Sequence, residues 1–176
     1  MTDDLERLRY PVGKFAPRAL DASAERSLID ALAAQPAAVA SAVTGLDEQQ
    51  LDTPYRPGGW TVRQVVHHLP DSHLNAYVRM KKAVTEDTPL ISTYEEARWA
   101  ELPDSQLPID VSLRLLAVLH ERWIAFLRGL APEQLSRTFR HPEWNEISVR
   151  VTLQLYEWHG RHHIAHITAL REREGW

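Results

Sequence analysis

"VRVTLQLYEWHGRHHIAHITALRER", Val149 to Arg173, decides the fold. Advancing about 100° per residue from Val149 brings Leu153, Tyr156, Ile164, Ile167 and Leu170 to within roughly 60° of one direction. That is one apolar stripe on a long helix, opening near Ser148. Four histidines fall within eight of its residues, His159 to His166. His163 falls inside the stripe and His159 on its flank, while His162 and His166 point further away and read as surface or rim residues. The inward pair sits at i and i+4, which stacks two imidazoles on one helix face as metal-binding helices require.

Three further segments carry the same periodicity. The first runs from about Ser23, a plausible N-cap, to Thr44, with Gly45 as its stop. Leu28, Leu32, Val39 and Val43 share a face there, and Pro36 predicts a kink or a break. The second follows the turn "RPGGW", opens on the capping box "TVRQ" (Thr61 to Gln64), and continues to about Val84. The third opens at Asp110 as N-cap. Its seam of Leu113, Leu116, His120, Trp123, Leu127 and Leu130 has bundle spacing. Between the second and third lies a long segment, Thr85 to Ile109, in which "YEEARWAEL" predicts a short helix anchored by Tyr94 and Trp99. "APEQL" adds one turn. Strand signals are weak: "EISVRV" has branched residues but leads directly into helical spacing. The expected fold class is all-α, a four-helix bundle with one long crossover, in one domain spanning residues 1–176.

Composition narrows the function. The 176 residues are 44% hydrophobic and 25% charged, with a net charge of −4 and both signs mixed, so a packed core is expected. There is no basic run, which argues against nucleic acid as a partner. The start, "MTDDLERLRY", has no apolar leader, and no stretch approaches the ~18 apolar residues of a membrane span, so the cytoplasm is the expected location. Cysteine is absent. Thiolate metal sites, iron–sulfur clusters and a cysteine nucleophile are thereby excluded, and any metal must take imidazole or oxygen ligands.

Two histidines do not make a stable site, so a third must come from another helix. In the second segment His67 points away from the apolar face, His68 lies on its flank and His73 near its middle. Periodicity does not choose between His68 and His73. In the third segment His120 sits in the seam. A single inward histidine is usually a core residue bonded to backbone, and an H-x3-H pair alone is a weak signal. Convergence of inward histidines on several helices is what favours a metal. No carboxylate is well placed as a proton shuttle: Glu157 and Asp71 both fall off the inner side. His73 and His120 are better placed to support the ligands or to act in acid/base chemistry. Trp60, Trp123 and Trp158 read as packing residues that could also wall a pocket.

"YPVGKFAP", "LDTPYRPGGWTVRQVVHHLPDSHLNAYVRMK" and "WHGRHHIAHI" together resemble the YfiT-type proteins of the DinB-like superfamily. These are described as metal-dependent hydrolases, with bacillithiol-type thiol S-transferases among their relatives. The resemblance implies a four-helix bundle, a homodimer, and one zinc or nickel ion per subunit held by three histidines. By position these are His68, His159 and His163, and the choice of His68 rests on the resemblance. The broader superfamily often has His-Arg-Gly-Gln after the last ligand, whereas this chain has His163-Ile164-Ala165-His166, as the YfiT branch does. Three neutral imidazoles leave a zinc-like ion with an open position for water or a small-molecule substrate. Hydrolysis and transfer of a low-molecular-weight thiol are the expected chemistries. The competing expectation is a non-enzymatic scaffold braced by its metal.

Overall fold

The computed structural model describes residues 2–176, and four long helices dominate it: α2 (Ala22–Val43), α4 (Val62–Thr85), α6 (Ile109–Arg128) and α8 (Val149–Glu174). Helix α2 packs against α6 and α8, and α4 against the same two. The shorter elements are α1 (Thr2–Arg9), α3 (Glu48–Leu51), α5 (Glu96–Trp99), a 3-10 turn (Pro103–Gln106), α7 (Pro132–Leu135) and a hairpin of β1 (Thr138–His141) with β2 (Asn145–Ser148). No helix among the described residues is long and apolar enough to cross a membrane.

The helix starts follow local chemistry. Thr61 accepts a hydrogen bond from Gln64 N, and the Gln64 side chain accepts one from Thr61 N, so the expected capping box forms. Ser148 caps α8 by accepting from Val151 N at 3.2 Å. Two expected caps move. Asp21, not Ser23, opens α2, its carboxylate accepting from Ala24 N at 2.8 Å. A carboxylate is also the better partner for the positive end of a helix. At α6 the start is Ile109 after Pro108, and Asp110 lies inside the first turn, paired with Arg114. Pro36 does not divide α2, because the helix continues through it to Val43.

Two apolar clusters fill the bundle. One surrounds Trp123, whose side chain is fully buried and whose Nε1–H points to Met80 Sδ at 3.2 Å. The other gathers Val62, Val65 and Val66 of α4 with Ile167 and Leu170 of α8. Along α4, His68 and His73 fall between Val65 and Ala76; along α8, His159 and His163 fall between Tyr156 and Ile167. A polar layer therefore lies between two apolar ones.

Gly160 lets α2 and α8 approach closely at this layer. A Cβ there would stand 2.1 Å from the buried side chain of Gln35, whose Nε2 donates to the carbonyls of Tyr156 (3.2 Å) and Glu157 (2.9 Å). Gln35 thus grips the backbone of α8 just before His159.

The crossover from α4 to α6 is strapped along the bundle. Arg79 Nη2 donates to Ser92 O (2.7 Å), Gln64 Nε2 to Ala100 O (3.0 Å), and Tyr94 and Trp99 pack with ring centroids 4.5 Å apart. The hairpin corrects the reading of 146–151: Glu146 to Ser148 pair with β1 before the helix begins at Val149. Phe139 on β1 is buried against the core, which gives the short ladder an apolar footing.

Candidate metal centre

Helix α8 presents His159 and His163 one turn apart, and α4 presents His68 across from them. The three offer ligand nitrogens that all lie within 4.8 Å of one another. His68 Nε2 and His159 Nε2 are 3.3 Å apart. Two nitrogens sharing a tetrahedral ion at ~2.0–2.1 Å stand about 3.3–3.4 Å apart, so this pair already has the spacing of neighbouring ligands. His163 Nδ1 is buried with no hydrogen-bond partner. Nothing but nitrogen joins the group among the described residues, which suits a borderline-soft cation such as zinc or nickel.

Electrostatics prepares these rings to bind. Burial holds the His68 pKa down at about 4, and burial together with neighbouring imidazoles holds His159 and His163 well below the ordinary range. All three are neutral at pH 7, so a metal need not compete with protons for them.

The group lies on one side of a cleft of about 520 Å³. Trp60, with its ring 4.6 Å from that of His68, and Trp158 wall it on the side of the three histidines. Arg79, His141 and Trp144 line it further along. Ser72 Oγ and the Tyr156 hydroxyl are 3.3 Å apart in the same cleft. Burial raises the Tyr94 and Tyr156 phenols, with the Ser72 hydroxyl pulling the other way, so both remain protonated at neutral pH.

His73 and His120 are not in the group. They form a layer behind it, with His73 Nε2 3.3 Å from His159 Nδ1 and His120 Nε2 2.8 Å from His73 Nδ1. The structure thus places His68 in the three-histidine group and His73 behind His159, a distinction of depth that helical angle does not carry. Trp123 packs edge-on to His73 with centroids 5.6 Å apart and does not line the cleft.

Three histidines read as surface or rim residues are buried instead. His67 is 5% exposed: its Nε2–H donates to Leu107 O (2.9 Å) and its Nδ1 accepts from Ser112 Oγ (2.7 Å), tying α4 to the crossover and to α6. His166 stacks on Tyr55 at 3.9 Å and donates through Nε2 to Arg9 O at 3.2 Å. His162 stacks on Trp158 at 4.6 Å. Segments distant in sequence cover these faces.

The two acids set aside from the sequence stay aside. Glu157 pairs with Arg161 at 2.6 Å, and the Asp71 pKa is pushed up to about 6 by burial and by the charge of Asp104. Arg79 and His141 escaped the sequence reading. Arg79 carries no periodic signal, and His141 reaches the cleft only because the hairpin folds over it.

Comparison with known proteins follows from this geometry. The family model of the DinB superfamily matches residues 31–167. The chain belongs to the DinB superfamily. A Bacillus cereus protein named "putative metal-dependent hydrolase" is 52% identical over 170 residues, covering 96% of this chain and 98% of that one. A Bacillus mycoides protein of the same designation is 51% identical over 176 residues, covering 98% and 100%. Among solved structures, YfiT from Bacillus subtilis, described as "a probable metal-dependent hydrolase with an unusual four-helix bundle topology", superposes with a TM-score of 0.94 at 48% identity. It covers 97% of this chain and 99% of YfiT. TT2238, a four-helix bundle protein, shares the fold at a TM-score of 0.58 and 19% identity, covering 82% of this chain and 98% of its own. The DinB superfamily bundle is therefore the frame on which the three histidines converge.

Proposed function

We propose that this DinB superfamily chain is a metal-dependent hydrolase of a small-molecule substrate, with His68, His159 and His163 holding one zinc or nickel ion per subunit. The observation that carries the reading is the convergence of three neutral imidazoles, with no fourth protein ligand among the described residues, beside an open cleft. Closed structural sites take four protein ligands, whereas three leave a position for an exchangeable guest. Such an ion lowers the pKa of a water or thiol bound to it. The chain's own residues supply the rest: Trp60 and Trp158 exclude water from one side, and the phenol of Tyr156 donates a hydrogen bond within the cleft.

One observation favours a second reading, transfer of a low-molecular-weight thiol to an electrophile. Among the described residues no carboxylate joins the three-histidine group, so water activation has no base beside it there. A thiol that ionises on binding needs none.

The deciding assay incubates zinc- or nickel-loaded protein with chromogenic esters and amides, and separately with a small thiol plus a chromogenic aryl halide. Cleavage without thiol, abolished by chelation, is the expected result. Turnover needing both thiol and metal transfers the assignment to the thiol reading. No turnover on either panel, with the metal raising only the melting temperature, makes the protein a metal-braced scaffold instead.

We also propose a homodimer. Leu74 and Val78 on α4, and Val111, Leu115 and Val118 on α6, are all at least 40% exposed on two helices that pack against each other. Exposed apolar side chains in such number on adjacent helices support an interaction surface there. Leu115→Glu combined with Val118→Glu is expected to convert a dimer to a monomer in sedimentation velocity. A wild-type chain that sediments as a monomer refutes the assembly.

A further inference from the structure

Pro36 sits inside α2 and has no N–H. The carbonyl four residues earlier, that of Leu32, is therefore left without its helical donor. His120 Nδ1 takes that place at 3.0 Å. From His120 a line of ring-to-ring contacts leads outward: His120 Nε2 to His73 Nδ1 at 2.8 Å, then His73 Nε2 to His159 Nδ1 at 3.3 Å. One link comes from each long helix, in the order α2, α6, α4, α8.

The direction of every bond follows from the first. A carbonyl oxygen only accepts, so His120 carries its proton on Nδ1. His120 is 2% exposed and His73 0%, and an unpaired charge at such depth is costly, so both rings are neutral. A neutral His120 protonated at Nδ1 has a bare Nε2, which must accept from His73 Nδ1–H. His73 then has a bare Nε2, which accepts from His159 Nδ1–H. His159 is left with a bare Nε2, the nitrogen that lies 3.3 Å from His68 Nε2 in the candidate metal centre.

We propose that His120 and His73 are positioning residues that relay the polarity of the Leu32 carbonyl across the bundle, fixing His159 in the tautomer whose Nε2 lone pair faces the metal. The proposal rests on the three-histidine reading for its purpose, and on the hydrogen-bond geometry alone for the tautomers. Partners that fix the orientation and tautomer of a ligating imidazole are commonly worth ~10–100-fold in metal affinity. In the metal-free protein the relay has a further consequence. With His159 Nε2 bare, the contact between His68 and His159 requires the proton on His68 Nε2.

The test is long-range proton–nitrogen correlation on the full-length, metal-free chain with 15N-labelled histidine at pH 7. The expected pattern is Nδ1–H for His120, His73 and His159, and Nε2–H for His68. A proton on His159 Nε2 overturns the proposal without any variant. His120→Leu removes the acceptor for His73 and is expected to leave His159 in mixed tautomers and weaken zinc binding about 10–100-fold. His120→Gln can donate to Leu32 O and accept from His73, and is expected to restore both the His159 tautomer and an affinity within about threefold of wild type. Wild-type zinc affinity in His120→Leu, or a Gln variant no better than Leu, overturns the relay. Wild-type protein that shows the expected tautomers yet binds neither zinc nor nickel sustains the relay and refutes the metal reading.

Discussion

Alanine at position 163 is expected to weaken zinc binding at least about a hundredfold and to remove turnover with it. Apparent binding free energies of ~10–16 kcal/mol at four-ligand structural zinc sites correspond to about 2.5–4 kcal/mol per ligand, or roughly two to three powers of ten. The fold should survive the change. The His163 ring is buried, but its Nδ1 has no hydrogen-bond partner, so truncation leaves no orphaned donor or acceptor there. The informative control is His162→Ala. His162 is equally buried on the same turn, yet it stacks on Trp158 and does not belong to the three-histidine group. Its loss should lower the melting temperature and leave zinc affinity within a few-fold. Competition against a chromophoric chelator, read beside thermal melts, separates the two. A His163→Ala protein that holds zinc as tightly as wild type eliminates the proposed centre.

The second large effect is acid lability of the metal-free protein. Burial holds His120 and His162 at about 4 and His166 at about 3, against about 6.5 in an unfolded chain. Between those limits the unfolded chain binds more protons than the native one, so stability rises with pH through the window. It is fully present above about 6.5 and is lost as pH falls toward 4. Each such group contributes up to ~1.4 kcal/mol per pH unit, and three acting together remove about 4. Over the ~1.5 units from 6.5 to 5 that amounts to about 6 kcal/mol, enough to unfold a domain at the lower end of the usual ~5–15 kcal/mol range. Urea midpoints measured at pH 7.5, 6.5 and 5.5 should fall progressively. Equal midpoints at 7.5 and 5.5 would mean that these rings are already charged in the native state.

The histidines also show where sequence reasoning reached and where it stopped. The stripe on α8 selected His159 and His163, because angle around a helix is a local property. The capping box at Thr61 and the start of the last helix near Ser148 were legible for the same reason. His68 and His73 both face inward, and their separation into a member of the three-histidine group and a residue behind it depends on position along the helix axes, which a wheel does not contain. His67, His162 and His166 were misplaced because a wheel treats the face opposite the core as solvent. Here Leu107 of the crossover covers one such face and Arg9 another. Neither contact has a local signature. The importance of Pro36 was half visible: its missing donor was plain in the sequence, and the imidazole that uses the freed carbonyl was not.

The join between the hairpin and α8 has a mechanical consequence. Ser148 is both the last residue of β2 and the cap of α8, and Val149 N–H donates back to Arg137 O at 2.9 Å. Leu90 of the crossover pairs with Arg140 of the hairpin, so strap and rim are stitched to each other as well. No slack residue separates His141 and Trp144 at the rim from the rigid rod that carries His159 and His163. The rim of the cleft is thus spliced directly onto the rod beneath it, so a displacement of the hairpin would be passed to the helix that carries His159 and His163.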